Sequence, residues 1–561
     1  MKAGKCLTII DQLAAIILNL AALASFHFLF LNYITVSNEY IHILTLFIIW
    51  FLAIYLLIRF LCVGVSFHTV RQVIPDIIFI GVGLLIKDSD RVFQFYLLGR
   101  QAFLLVRNLI LGEKRGELLN KLYNNPPLLV LFTFLLAIFL GTLMLMLPAA
   151  TVGGAKTSVI GAAFTSTSAT CVTGLIVYDT GTHFSFLGQM IILLLIQMGG
   201  LGIMTISSAF AIMLGQKISI KGESIIQHVV GEMTKVDMMS LLRSVIVVTF
   251  SFELLGAVFL YTTFKHTQAS TGEAIYYAVF HSVSAFCNAG FSLFKDSFTG
   301  FRSSFNINFV ITTLIIFGGI GFPVMVDLWR NFRQRFRFSR LSLHTKIVLT
   351  STLVLIVIGV IGFFISEYNF TMKGFSLTDR IMSSYFQSVT TRTAGFNTID
   401  NGSLSKPSVL ISCILMFIGA SPGSTGGGIK TTTLAVVIFS VLAMFKGHRY
   451  VNIFKRKISE LITYRVMAVV ASSLTLLSIM IFLLLMIEPF PFEKTLFEAF
   501  SAFGTVGLSM GITPLLSNFG KVIIIILMYM GRVGPLTLIF ALSENKLMAS
   551  YSYIEEKISI G

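Results

Sequence analysis

Four short half-polar stretches recur along the chain: FTSTSATCVTGLIV, FHSVSAFCNAGFSL, YFQSVTTRTAGFNT and EAFSAFGTVGLSMG. They align without gaps on Gly174, Gly290, Gly395 and Gly507, which lie 116, 105 and 112 residues apart. Ser168, Ser284, Val389 and Ser501 stand six positions before these glycines, and Leu175, Phe291, Phe396 and Leu508 one position after. Each stretch sits between two long apolar runs. A repeat at near-constant spacing marks one structural unit used several times, and four copies restrict the chain to architectures with four equivalent parts.

The second apolar run of each unit repeats as well, as QMGGLGIM from Gln197, FGGIGFPV from Phe317, IGASPGSTGG from Ile418 and MGRVGPLT from Met530. Its first glycines, Gly199, Gly318, Gly419 and Gly531, follow the repeat glycine by 25, 28, 24 and 24 residues.

Composition fixes the medium. Hydrophobic residues make up 55% of the 561, charged residues 12%, and the mean hydropathy is +0.88, far from the balance of a water-soluble chain. Apolar runs of about 20 residues, long enough to cross a bilayer as a helix, occur from end to end and leave no room for a sizeable soluble domain. The run from Leu7 to Ile34 is too long for a signal-peptide core and is expected to be retained. Cys6, Cys62, Cys171, Cys287 and Cys413 are isolated and give neither a disulfide framework nor metal-ligand spacing.

The net charge of +16 is gathered in loops. Arg330, Arg333, Arg335, Arg337, Arg340 and Lys346 form one cluster, and Lys446, Arg449, Lys455, Arg456 and Lys457 another. The positive-inside rule places both in the cytoplasm, together with Lys114, Arg115 and Lys121. The loop from Lys217 to Arg243 mixes both signs. No aromatic or fold signature of nucleic-acid binding accompanies the charge, so no nucleic-acid partner is expected.

Each unit therefore reads as a membrane helix, a half-helix with a turn, and a second membrane helix (M1, P and M2). Non-helical backbone at membrane depth is tolerated only where protein buries it or it lines water. Four such segments around one axis can turn their carbonyls on a single ion and replace its hydration shell. Glycine permits that turn at low steric cost. The competing reading is that the glycines only pack helices closely; fourfold recurrence at one offset favours the pore.

The stretch GASPGSTGGGIKTTT, from Gly419 to Thr433, raises a different possibility. Gly423, Gly428, Lys430 and Thr431 nearly spell the phosphate-binding GxxxxGK[ST], which would make the chain a membrane ATPase. Ile429 displaces the lysine from that register. Set against the other three M2 runs, the stretch is a helix interrupted by glycines and by Pro422, which lacks a backbone donor.

At these residues the chain resembles the Trk/Ktr/HKT superfamily of cation transporters, and within it the TrkH- and KtrB-like pore subunits. TCVTGL, CNAGF, TRTAGFNT and GTVGLS carry the resemblance, which extends over about residues 127 to 545. It implies an all-α polytopic membrane protein with four fused M1-P-M2 units forming a K⁺-channel-like pore. The family's ion filter falls on Val172, Thr173 and Gly174, on Asn288, Ala289 and Gly290, on Thr393, Ala394 and Gly395, and on Thr505, Val506 and Gly507. Some plant-type relatives with Na⁺ preference carry serine at the first filter glycine; glycine at all four positions here favours K⁺.

The resemblance also implies a gating loop in the third M2, mapping to Gly419, Ser421, Pro422, Gly423, Gly426, Gly427 and Gly428. Lys430 follows the loop, and Arg532 of MGRVG matches a family arginine that faces the pore below the filter. A charge inside a membrane segment is costly and points to function. Glu253 reads as a buried structural partner and Arg392 as a brace behind the third filter stretch.

The expected organisation is an N-terminal extension over 1–126, units over 127–215, 240–330, 344–445 and 465–543, and a cytoplasmic tail over 544–561. This gives eight core spanning helices and four re-entrant segments. The extension has apolar runs at about 8–33, 41–62, 73–86 and 92–111, enough for four helices. Asp76 with Arg91, Arg100 and Arg107 lacks the every-third-residue ladder of a voltage sensor.

The expected function is K⁺ uptake across a bacterial cytoplasmic membrane, with the ion at the filter, no nucleotide on this chain and no enzymatic activity. A Na⁺-selective or Na⁺-coupled transporter is the alternative, and the ATPase a more distant one. The resemblance further implies a homodimer and a cytoplasmic ring of nucleotide-binding RCK/KTN regulatory subunits, docked on the basic loops around Arg330 and Lys446.

Overall fold

The computed structural model describes Ile48, Phe51, residues 126–201 and residues 235–534 apart from 269 and 334. The chain divides into two compact units, Met1–Lys121 with Met146–Ala149, and Leu122–Leu145 with Ala150–Gly561. Apart from Ile48 and Phe51, the four helices expected within 1–126 lie outside the described residues, as do the Lys217 to Arg243 loop up to residue 234 and the tail over 544–561.

The helices of the second unit fall into four similar sets. The first is α1 (Pro126–Leu145), the half-helix α2 (Val159–Thr170) and α3 (Phe186–Gly200). The second is α4 (Lys235–Phe264), α5 (Thr271–Phe286), α6 (Phe305–Ile320) and its continuation α7 (Phe322–Arg333). The third is α8 (Leu343–Glu367), α9 (Leu377–Thr390), α10 (Lys406–Phe417) and α11 (Thr431–Phe445). A small hairpin, β1 (Asn452–Ile453) and β2 (Arg456–Lys457), leads to α12 (Glu460–Ile487), α13 (Phe492–Gly504) and α14 (Asn518–Val533).

Capping serines set the starts of these helices. Ser158, Ser270 and Ser376 accept a backbone N–H at the heads of α2, α5 and α9, and Ser185, Ser405 and Ser517 do so for α3, α10 and α14. Each satisfies an amide that would otherwise be orphaned in an apolar medium. The half-helices hold 12, 16, 14 and 13 residues, about 18–24 Å at 1.5 Å per residue, too short to span.

Helix association in a bilayer rests on close packing and interhelical hydrogen bonds, and one device repeats. Ser166, Ser282 and Ser388 of the half-helices donate to the carbonyls of Ile138, Glu253 and Ile356 on the preceding M1 helix, at 2.8, 2.6 and 2.8 Å. Gly141, Gly256 and Gly359 make the approach possible, since a Cβ there would overlap the serine hydroxyl. In the fourth unit Ser473 is fully buried on α12 and donates to Val469 O of its own helix at 2.7 Å, and Ala499 is fully buried on α13.

The eight expected spans resolve differently. Four M1 helices are long and apolar enough to cross without interruption: Leu128–Leu145, Ser244–Phe264, Leu343–Glu367 and Glu460–Ile487. The M2 elements are short, bent or broken among the described residues. The third is interrupted between Phe417 and Thr431, as expected from its sequence, but it is not the sole break. The second bends by 99° between α6 and α7, at Gly321 with φ 94° and ψ 142°. Gly534, three residues after Gly531 as Gly321 is after Gly318, ends α14 in the same conformation, φ 87° and ψ 140°. The aligned GxxG of FGGIG and MGRVG is thus a close-packing glycine followed by a helix-ending one.

Candidate ion pathway

Each half-helix ends just before its repeat glycine, and the backbone then alternates in hand. Val172, Asn288, Thr393 and Thr505 have φ of 57°, 60°, 71° and 49°, and Gly174, Gly290, Gly395 and Gly507 have 92°, 71°, 82° and 92°. Thr173, Ala289, Ala394 and Val506, between them, keep negative φ. Alternating hand turns successive carbonyls to one side of the strand. Positive φ at β-branched Val172, Thr393 and Thr505 is strained, costing about 1–3 kcal/mol each, and persists because the surrounding structure imposes it.

The four turns close into a ring. A Cβ on Gly290 would stand 2.8 Å from the Ala394 carbonyl oxygen, and one on Gly395 2.5 Å from that of Val506. One on Gly507 would overlap the Thr173 carbonyl, and one on Gly174 the Ala289 carbonyl. Each glycine therefore faces the carbonyl preceding the next, in the order one, two, three, four and back to one. Only a residue without a side chain fits any of these places.

The amides of the ring are held from behind. Thr173, Ala289 and Val506 N–H donate to the carbonyls of Ser168, Ser284 and Ser501, at 2.7, 2.7 and 2.8 Å. The hydroxyls of Ser168 and Ser501 accept from Gly174 and Gly507 N–H, at 3.0 and 3.1 Å. Ser284 instead donates to Phe291 O at 2.8 Å. In the third unit, where Val389 has no hydroxyl, the adjacent Thr390 donates to Phe396 O at 2.6 Å. Among the described residues, none of the twelve candidate filter carbonyls accepts a hydrogen bond. A ring of backbone oxygens without protein donors is poised for a desolvated cation. The C-terminal ends of the four half-helices lie immediately beneath, and their macrodipoles favour positive charge there.

On the far side of the ring from those ends is a vestibule of about 630 Å³, floored by Gly174, Gly290, Gly395 and Gly507. Lys295, Asp296, Arg302 and Asp400 line it, all from the second and third units.

The interrupted third M2 occupies the other side. Gly419–Gly428 folds back on itself, pairing Ile418 with Ile429 and Ala420 N–H with Gly427 O at 3.3 Å. Gly427 N–H donates to Thr505 Oγ1 at 3.0 Å, and a Cβ on Gly426 would overlap Thr393 Oγ1, so the loop touches the base of the ring. Ser421 and Thr425 N–H donate to Gly319 and Gly318 of α6 at 3.0 and 3.2 Å, and Gly428 N–H to Gly531 of α14 at 3.3 Å. Arg532, 6% exposed, donates from its two terminal nitrogens to Thr425 O in the loop and to Gly199 O in α3. The loop is thereby tied to all four units.

These contacts are not those of a phosphate loop. The amides of Thr425, Gly427, Gly428 and Ile429 are spent on protein acceptors, and Lys430 Nζ turns back onto Gly426 O and Gly427 O at 2.7 and 3.4 Å. A P-loop must offer such groups to a phosphate; here the lysine clasps its own loop.

Glu253 is buried on α4, with the Cys287 thiol 3.8 Å from Oε1 and Gln197 beside that thiol. Arg392 is buried behind the third turn and donates to Thr352 O on α8 at 3.5 Å. Gly199, Gly318 and Gly531 each pack against the last turn of their own half-helix, where a Cβ would overlap the carbonyls of Thr170, Phe286 and Phe503. Gly419 breaks that pattern and packs on Gly427.

The sequence reading missed a further set. His281, Gln387 and Glu498, eight or nine residues before the repeat glycines, are fully buried and anchor the segments behind the vestibule. His281 Nε2 accepts from Leu293 N–H at 3.2 Å. Gln387 donates to Asn401 Oδ1 at 2.9 Å, and Glu498 accepts from the Ser509 and Thr513 hydroxyls. A polar residue eight or nine positions before three of the repeat glycines was the available signal.

Fold and site together define a polytopic membrane protein built as a four-unit pore. A family model described as "Cation transport protein", TrkH, matches residues 123–551. The chain is 42% identical over 423 residues to "Ktr system potassium uptake protein B" of Bacillus subtilis, covering 75% of this chain and 94% of that one. It is 37% identical to "Potassium/sodium uptake protein NtpJ" of Enterococcus hirae, covering 78% and 97%. The crystal structure of the potassium transporter TrkH from Vibrio parahaemolyticus superposes with a TM-score of 0.63 over 90% of this chain and 98% of that one, at 18% identity, a likeness of fold. The chain belongs to the TrkH family of cation transport proteins.

Proposed function

We propose that this chain is the pore-forming subunit of a Trk/Ktr-type potassium uptake system. The observation that carries the reading is the closed ring of Gly174, Gly290, Gly395 and Gly507, whose carbonyls meet no hydrogen-bond donor among the described residues. Val172 to Gly174, Asn288 to Gly290, Thr393 to Gly395 and Thr505 to Gly507 hold K⁺ by main-chain oxygens. Gly419 to Gly428, with Lys430 and Arg532, close the path beneath them, and flow is passive when the loop withdraws.

The relatives named for potassium uptake support K⁺ as the cargo, as does glycine at all four ring positions. The relative named for potassium and sodium keeps Na⁺ selectivity or coupling as the second reading. Uptake by a strain lacking its own K⁺ systems separates them. Growth restored at low K⁺ and undiminished by excess Na⁺ is the expected result; uptake of Na⁺ in preference to K⁺ overturns the choice.

The four units are proposed to end near residues 215, 330, 445 and 543, flanked by the N-terminal extension and a cytoplasmic tail. The chain is proposed to act as a homodimer in a bacterial cytoplasmic membrane. A nucleotide-binding RCK/KTN ring would supply regulation; the relatives' designation as members of a Ktr system supports a multi-subunit assembly. The basic hairpin face between Lys446 and Lys457 is its proposed dock.

A further inference from the structure

The 99° bend at Gly321 sends α7 across, rather than along, the direction of α6. Its depth is fixed by Asp327, whose Oδ2 accepts from Ser342 N–H at 3.1 Å and Thr345 Oγ1 at 2.6 Å, capping the start of α8. At the other end of α8, Glu367 accepts from Ser405 at the head of α10, on the vestibule side. Helix α7 thus lies at the membrane face opposite the vestibule, where the distribution of positive charge puts the cytoplasm.

What α7 displays there is unusual. From Trp329 the sequence runs WRNFRQRFRFSR, aromatic residues interleaved with arginines and no acidic residue before Lys346. Trp329, Phe332 and Phe336 are 60%, 72% and 54% exposed, too much apolar surface to leave in water without a partner. Arg330, Arg333, Arg335 and Arg337 are exposed among them, and Arg333 lies 5.1 Å from the Trp329 ring centroid. Aromatic rings at headgroup level with clustered arginines on the cytoplasmic side are complementary to one surface, an anionic phospholipid leaflet.

The same helix begins at the pore. Phe322 N–H donates to Gly423 O at 2.9 Å, and Pro323 packs against Gly423. We infer that α7 and the segment to Arg340 form a binding element for anionic phospholipid headgroups of the cytoplasmic leaflet, whose occupancy holds the pore loop closed through Phe322 and Gly423. The coupling rests on the pore reading above; the lipid contact does not. Lipid that binds α7 in the arrangement where Phe322 holds Gly423 favours that arrangement by its differential affinity. The arginine cluster expected from sequence to dock a regulatory subunit is thereby assigned to lipid.

The chain has two tryptophans, Trp50 and Trp329, so Trp50→Phe leaves one reporter in the full-length protein. In vesicles, brominated phosphatidylglycerol is expected to quench Trp329 about fivefold or more better than brominated phosphatidylcholine. High salt should weaken the preference, and joint Arg330→Gln, Arg333→Gln, Arg335→Gln and Arg337→Gln should remove it. Equal quenching by the two lipids, or a preference that survives the four substitutions, overturns the lipid site. So does a Trp329 reached by neither lipid and shielded by an added soluble regulatory subunit.

Rubidium flux through the same vesicles is expected to fall as phosphatidylglycerol rises in the parent and not in the fourfold variant; flux indifferent to headgroup overturns the coupling. A chain lacking 423–427 should conduct in both lipids. Failure there condemns the pore reading, while the quenching still decides the lipid site.

Discussion

Arg532 of the fourth unit holds Thr425 of the third: its guanidinium donates to the Thr425 carbonyl while its other terminal nitrogen reaches Gly199 of the first. This buried guanidinium thus has two roles. It ties the loop to the first and fourth units, and on the proposed reading it also places positive charge beside the ion path.

Arg532→Gln removes the charge and weakens both ties. Losing about 1.5 kcal/mol of loop closure, the lower figure for one hydrogen bond to a charged group, corresponds to a rise in ion flux of about tenfold. Rubidium uptake into vesicles measures it, and unchanged flux in a folded protein counts against the loop as the closure.

Thr505→Val tests the contact between ring and loop from the other side. It leaves Gly427 N–H buried without its acceptor at 3.0 Å, a cost of about 1–3 kcal/mol. The flux is expected to rise in the same direction as in the arginine variant. Because both changes act on one loop, the double variant should fall short of the product of the single effects, which a double-mutant cycle on the flux reads directly.

Gly290→Ser and Gly395→Ser probe the ring itself. Each new Cβ would come within 2.8 or 2.5 Å of the neighbouring carbonyl oxygen, closer than such atoms pack, and each residue would be forced into the left-handed region. The ring must open to admit it, so K⁺ is expected to lose its advantage over Na⁺ by about tenfold or more. Retained discrimination in either variant would remove the ring from the account of selectivity.

His183 lies in the outer turn behind the vestibule, stacked on Tyr178 with ring centroids 4.2 Å apart and 3.1 Å from Thr157 Oγ1. Burial lowers its pKa below the ordinary 6.5, with Asp179 opposing in part. A histidine shifted down contributes stability that is present above its unfolded pKa and is lost as pH falls through the folded value. The turn over residues 157–184 is therefore expected to loosen below about pH 6.5, seen as faster amide exchange there. His183→Gln should flatten that dependence.

Much of this was legible in the residues. The glycine of each half-polar stretch announced a turn of the backbone. Pro422 and its glycines announced the interrupted third M2. What escaped was three-dimensional partnership. Gly321 and Gly534 carry no local mark that separates a helix-ending glycine from a packing one; only their shared spacing from Gly318 and Gly531 does. The Ser166–Gly141 type of clamp joins residues on two helices and is visible only once the helices are packed. That Lys430 turns back onto Gly426 and Gly427 was not legible, because nothing in its neighbours says that the chain folds back beneath it.

The central claim is that four backbone turns around one axis select K⁺. Rubidium uptake by the purified chain lacking 423–427, in vesicles, with K⁺ or Na⁺ as competitor at equal concentration, addresses it without gate or partner. The account predicts that K⁺ suppresses uptake and Na⁺ leaves it nearly unchanged. Equal suppression by Na⁺, or uptake that persists when all four of Gly174, Gly290, Gly395 and Gly507 are replaced by serine with the K⁺ preference intact, would contradict it.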